Sequence, residues 1–168
     1  MLLIRFFGGT VFFSLLLFGC GNPQTGERSS SAVNADSVML ITTGIDLAPA
    51  LAETDSVAIL FYKDPFGGEP DRYTRYYTQF NTATDSVIRV LKTNLADTYQ
   101  EDTLRQCRSE GKIFCFVKGK PVQTIYFTHQ SEACFHLYFI HTGRYYYLPF
   151  DKSLETRLRQ LKQEAWEP

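Results

Sequence analysis

The last third of the chain constrains the fold most. Lys112 to Val117 and Pro121 to Thr128 are apolar-rich runs joined by Lys118-Gly119-Lys120, and the pattern predicts a β-hairpin. Cys134 to His141 and Arg144 to Phe150 repeat it around Thr142-Gly143, a two-residue loop of the kind that suits tight hairpins. His129 to Ala133 reads as the loop between them. Together the four runs predict an antiparallel four-strand meander.

Side-chain alternation then assigns faces, because successive residues of a strand point to opposite sides. Phe135, Leu137 and Phe139 register across the second turn with Tyr146, Leu148 and Phe150, and this set is the better core face. Tyr138 and Ile140 then lie beside Tyr145 and Tyr147 on the other face.

Upstream, Ser56 to Tyr62 is a nearly unbroken apolar run stopped by Lys63-Asp64-Pro65, which predicts a buried central strand. Pro65 to Pro70 is a loop. Arg72 to Phe80 carries Tyr73, Tyr76, Tyr77 and Phe80, which also fit a helical face, but its aromatic content favours a strand. Val87, Ile88, Leu91 and Leu95 form one stripe behind Thr84-Asp85-Ser86, predicting an amphipathic helix over Asp85–Leu95. Ile45 to Glu53 places Leu47, Ala50 and Leu51 at helical spacing, with Pro49 tolerated in the first turn, so a short helix is expected there. Val38 to Ile41 reads as a strand or an extended lead-in. Ala96 to Glu110 is polar and ambiguous. Asp151 opens a final helix with Leu154, Leu158 and Leu161 on one side. The fold class expected is α+β: an antiparallel sheet with a C-terminal four-strand meander and helices mainly on one face.

The amino-terminal end is of another kind. An apolar run from Phe6 to Leu17 follows Arg5 and closes on Leu17-Phe18-Gly19-Cys20. A permanent spanning helix needs about 20 apolar residues, so this shorter, glycine-interrupted run reads as a signal-peptide core. The order of charge, apolar core, small residue and cysteine resembles the lipobox of bacterial lipoprotein precursors. That resemblance implies removal of residues 1–19, a diacylglycerol thioether on Cys20, and attachment to a membrane by lipid alone. Gly21 stands where an Asp marks inner-membrane retention in Gram-negative bacteria, so the resemblance favours the outer membrane, on its periplasmic or surface-facing side. Residues 20–35 are Gly, Asn, Pro, Gln, Ser and Thr with few apolar side chains and read as a flexible tether. Residues 36–168 then form a single domain. Its short aromatic strands and Asp-Ser-Val element starts resemble small lipoproteins of Bacteroidota, a likeness that implies no activity.

An exported protein lives where disulfides persist, and the three cysteines after Cys20 leave one thiol over. Cys115 sits mid-strand, where a free cysteine acts as a small hydrophobe. Cys107 and Cys134 lie in polar surroundings just ahead of strands. The reading is a Cys107–Cys134 disulfide, with three reduced thiols as the alternative.

Formal net charge is −1 with both signs interspersed, which argues against nucleic acid as a partner. No phosphate-cradling glycine loop, GxSxG elbow or CxxC pattern occurs. His129, His136 and His141 bracket one strand and read as surface residues rather than a metal set, so no metal or other cofactor is expected. The function expected is a lipid-anchored, non-enzymatic binding or assembly module of the cell envelope. Its candidate binding surface is Tyr126, Tyr138, Tyr145 and Tyr147, against the reading that loops or the Ile45–Glu53 helix cover this face and the tyrosines are half-buried sheet residues, and its partner is a protein or small molecule. The alternative is a thiol- or metal-dependent enzyme or metal carrier using Cys134 and His136.

Overall fold

A computed structural model describes residues 43–69 and 72–168. The lipobox, the tether and the Val38 to Ile41 run lie outside the described residues. The described chain is α+β: a single antiparallel sheet of eight strands with three α-helices. The strands are β1 (Gly44–Asp46), β2 (Ser56–Tyr62), β3 (Tyr77–Thr82), β4 (Thr98–Asp102), β5 (Gly111–Val117), β6 (Lys120–His129), β7 (Phe135–His141) and β8 (Arg144–Pro149). The helices are α1 (Ala48–Leu51), α2 (Asp85–Leu95) and α3 (Lys152–Gln163). Across the sheet the order is β1-β4-β8-β7-β6-β5-β2-β3. Among the described residues no helix is long and apolar enough to cross a membrane.

Strands β5 to β8 pair in chain order, each antiparallel to the next. The β5–β6 and β7–β8 turns put Lys118, Gly119, Thr142 and Gly143 at φ between 49° and 78°. Positive φ at both central residues matches the right-handed twist of paired strands, and a glycine second in each turn removes half of the steric cost. Leu137 faces Leu148 and Phe139 faces Tyr146, the register that alternation predicts.

One core cluster unites sheet and helices. Val57, Ile59, Phe61, Ile113, Ile125, Leu137 and Phe139 come from strands, and Leu51, Leu91, Leu95, Leu154, Leu158 and Leu161 from helices. Burying each such side chain stabilises the fold by roughly 1.5–3 kcal/mol. Asp151 caps α3 by accepting from the Ser153 and Leu154 N–H groups, at 2.7 and 3.4 Å. Helix α2 spans the residues its apolar stripe marks out.

Three expectations need correction, and one open stretch is resolved. The Ile45–Glu53 helix is only the short α1, because Gly44 to Asp46 pairs with β4 and Ile45 faces Tyr99. Asp46 Oδ1 then accepts the Ala48 N–H at 2.8 Å and turns the chain. The Arg72 to Phe80 segment starts as a strand at Tyr77, not Arg72. Residues 72–76 are turn and bend, which lets Tyr73 pack edge-on against Tyr62 and leaves Tyr76 exposed. Strand β2 is not central but second from the edge, between β5 and β3. The polar stretch from Ala96 to Glu110 contains β4, whose single large apolar side chain, Tyr99, is fully buried against Phe139.

The free edge of β3 is partly closed by the chain's own end. Gln79 and Trp166 exchange backbone hydrogen bonds of 2.8 and 3.0 Å, which blunts an edge that otherwise invites pairing with another chain. On β5, Gly111 sits beneath the Phe127 ring. A Cβ there would lie 2.2 Å from the Leu60 carbonyl oxygen and 2.4 Å from the ring. Gly111→Ala is therefore expected to destabilise the domain by about 1–3 kcal/mol through overpacking. The check is a lower denaturation midpoint in urea with an unchanged slope.

Candidate functional site

The face of the sheet turned away from the core is lined with tyrosines. Tyr126 lies opposite Tyr138, and Tyr138 opposite Tyr147. Their rings form a tract: Tyr126 and Tyr138 stack at 4.9 Å, Tyr138 and Tyr147 are 5.7 Å apart, and Tyr145 stacks on Tyr147 at 6.4 Å. Such pairs add about 0.5–1.5 kcal/mol each beyond the area they bury. The four candidate binding residues thus come together as alternation requires. They are not equally accessible, however.

The connection from β4 to β5 explains why. β4 ends at Asp102, opposite Tyr145, near the Thr142-Gly143 turn. β5 begins at Gly111, opposite Phe127, at the other end of the sheet. The intervening Thr103–Glu110 segment must pass β8, β7 and β6, and it does so diagonally across the tyrosine face. Four strand spacings come to about 19 Å, within reach of an extended octapeptide. The segment is a strap without regular structure of its own, and nothing in its composition announces it.

Its anchors are specific. The Arg105 N–H donates to the Tyr147 hydroxyl at 3.1 Å, and the Arg105 guanidinium lies 4.4 Å from the Tyr147 ring centroid. Arg105 also bonds Asp102 Oδ2 through Nε and Nη2, which with the Thr103 N–H holds the Asp102 carboxyl below its ordinary pKa. Cys107 is disulfide-bonded to Cys134, just ahead of β7. Arg108 donates to the Pro65 and Gly67 carbonyls at 3.3 and 3.1 Å. The Ser109 hydroxyl lies 3.3 Å from that of Tyr73. The remaining cysteine among the described residues, Cys115, is free and buried in the core, where burial pushes its thiol up to about 12.

Beneath the strap the face is closed. Tyr147 is 5% exposed and His136 only 2%. Tyr147 as a surface binding residue is therefore corrected: Arg105 lies over it. Burial raises the Tyr62 hydroxyl to about 12 and raises those of Tyr138 and Tyr147 as well. Beyond the strap the face is open. Ile140 and Val122 are exposed, Tyr126 and Tyr145 half-buried, and a depression of about 390 Å³ runs between Val122, Thr124, Tyr126 and Ile140. Beside the strap a recess of about 470 Å³ is lined by Gln100, Asp102, Arg105, His136, Tyr147 and Pro149.

The histidines part company. His141 is exposed. His129 is half-buried on the core side; its N–H donates to Glu110 Oε1 at 2.7 Å, and its Nδ1 lies 2.9 Å from Oε2 without hydrogen-bond alignment. His136 is not the surface residue that its position suggests. It packs edge-on against Tyr147 at 5.0 Å, and burial, helped by the nearby Arg105 charge, lowers its pKa to about 4. Its Nδ1 and the Thr128 Oγ1 directly opposite are both buried without a hydrogen-bond partner among the described residues.

Chemically, Cys134 has no thiolate to offer while bonded to Cys107. Among the described residues no group of three His, Cys, Asp or Glu side chains converges to hold a metal ion. What the arrangement does offer is a rigid aromatic surface, half open and half strapped. Comparison with known proteins finds no matching family model, no similar curated protein and no similar solved structure.

The buried neutral His136 couples folding to pH. Its folded pKa lies below the ordinary 6.5, so the unfolded chain binds more protons between about pH 6.5 and 4. Stability is expected to fall as pH is lowered through that window. Urea titrations at pH 7 and pH 5 check it: His136→Gln is expected to lose less stability between the two than the parent chain.

Proposed function

We propose that this protein is a lipid-anchored binding or assembly module of the cell envelope, without catalytic chemistry of its own. Its ligand surface is the open part of the tyrosine face. The observation that carries this reading is the tract of Tyr126, Tyr138 and Tyr145 beside exposed Val122 and Ile140. Tyrosine combines apolar area with a polar tip and loses little conformational freedom on binding, which suits a recognition surface. In this reading the helices pack mainly on one face of the C-terminal meander and leave the other to tyrosines and strap.

The anchor is Cys20, and the outer membrane is the destination that Gly21 favours. With one acyl chain membrane attachment is reversible, whereas two or three hold stably, so the domain works at a membrane face without a spanning helix. The Cys107–Cys134 disulfide supports an oxidising compartment. The rival enzyme or metal carrier would need that bond reduced before Cys134 became a nucleophile or a ligand.

Two measurements test the parts separately. Cells grown with labelled palmitate are expected to label the parent protein and not Cys20→Ser, and the variant is expected to leave the membrane fraction. A photo-crosslinking residue at Tyr126 or Ile140 is expected to capture a discrete partner, while one at Arg89 on the exposed side of α2 is not. Equal capture from both sides of the domain would sink the binding-surface reading and leave the anchor standing.

A further inference from the structure

We propose that the Thr103–Glu110 strap is a disulfide-locked lid, and that reduction of Cys107–Cys134 by a dithiol uncovers a polar second half of the tyrosine face around Thr128, His136 and Tyr147. This deepens the binding reading above, since it assigns regulation to the same face.

The half of the strap before Cys107 buries little of itself, while Ser109 beyond it is buried. Thr103, Leu104, Arg105 and Gln106 are exposed, Leu104 at 63%. Its non-covalent anchors are polar: the Arg105 contacts with Tyr147 and Asp102, the Arg108 bonds to two carbonyls, the Ser109–Tyr73 contact, and, where it joins β5, the Glu110 backbone bonds with Tyr62 and Phe127 and its carboxylate bond from the His129 N–H. Each contributes modestly in net terms, while ordering an octapeptide is costly. Cys107 stands mid-strap, and its bond to Cys134 is the one covalent tie to the sheet below.

What lies underneath is poorly satisfied when closed. Thr128 and His136 stand opposite each other in β6 and β7, and Thr128 Oγ1 and His136 Nδ1 are both buried with no hydrogen-bond partner among the described residues. Buried polar groups without partners are uncommon and favour any state that brings them to water or ligand. Lifting the strap does so. It also frees the Tyr147 hydroxyl and ring from Arg105. Imidazole, threonine and tyrosine hydroxyls together suit an uncharged polar ligand. The strap remains tethered by β4 and β5, so it opens without being lost.

The chemistry is thiol–disulfide exchange. One thiolate of the dithiol attacks a sulfur of Cys107–Cys134 and forms a mixed disulfide, and the other cysteine leaves as thiolate. The second thiol of the reductant then displaces the bound cysteine. Two electrons and two protons pass to the protein, giving two cysteine thiols, and the dithiol becomes its own disulfide.

Hydrogen exchange on the full chain, oxidised and reduced with dithiothreitol, tests the lid without any ligand, so its failure is distinct from failure of the binding reading. Amides of Thr103–Ser109 are expected to exchange at least about tenfold faster on reduction, while the Glu110, β5 and β7 amides hold their protection. His136 is expected to become reactive to an imidazole-acylating reagent, and Cys115 to stay unlabelled. The Cys107→Ser/Cys134→Ser double variant is expected to match the reduced protein without reductant. A change of less than about twofold in the strap overturns the proposal, and so does loss of protection in β5 and β7 together with it.

Discussion

A sheet with large side chains on both faces needs two covers, and among the described residues the helical leucines gather in one core cluster with one set of strand side chains. That constraint organises the rest. On the core side, leucines from α1, α2 and α3 meet Val57, Ile59, Ile113, Ile125 and Leu137 in a single cluster. On the other side the sheet is covered by its own tyrosines, packed ring on ring, and by a crossing length of backbone. Tyrosine makes this workable, because its ring buries apolar area while its hydroxyl keeps a hydrogen-bonding tip.

The strap follows from topology. β4 pairs with β8 at one side of the meander, yet the next strand, β5, lies at the other side. The chain must return across three strands and toward the opposite end of the sheet. A connection lying on a sheet face carries backbone groups and polar side chains against an apolar surface. The strap meets this with a tyrosine hydroxyl accepting one N–H, a guanidinium laid over a ring, and a disulfide. The same crossing makes His136 neutral and buried and divides the tyrosine face into a closed part and an open one.

How much of this was legible depends on how local the signal was. The hairpins were legible because alternation and turn glycines act over neighbouring residues. Helix α2 was legible because its stripe repeats with the helical period. β4 was not: between Thr98 and Asp102 only Tyr99 is apolar, since the other side chains lie at a polar rim or, like Glu101, bind Arg144 and Thr43. Ile45 read as part of a helix because a strand of so few residues has no period to display. Tyr147 stood among the surface candidates because parity assigns a face without saying which loop, if any, crosses above it.

The sequence alone determined the antiparallel hairpins, their register, the two faces and which aromatic residues share each of them. All of these follow from the two-residue period of a strand and from turn geometry. Only the tertiary structure decided that β4 joins the sheet beside β8 and that the strap crosses the tyrosines, tied down by the Cys107–Cys134 bond that the cysteine count had suggested. Those depend on pairing between residues far apart in the chain, where the choice is made by the whole core and by chain connectivity rather than by any local pattern.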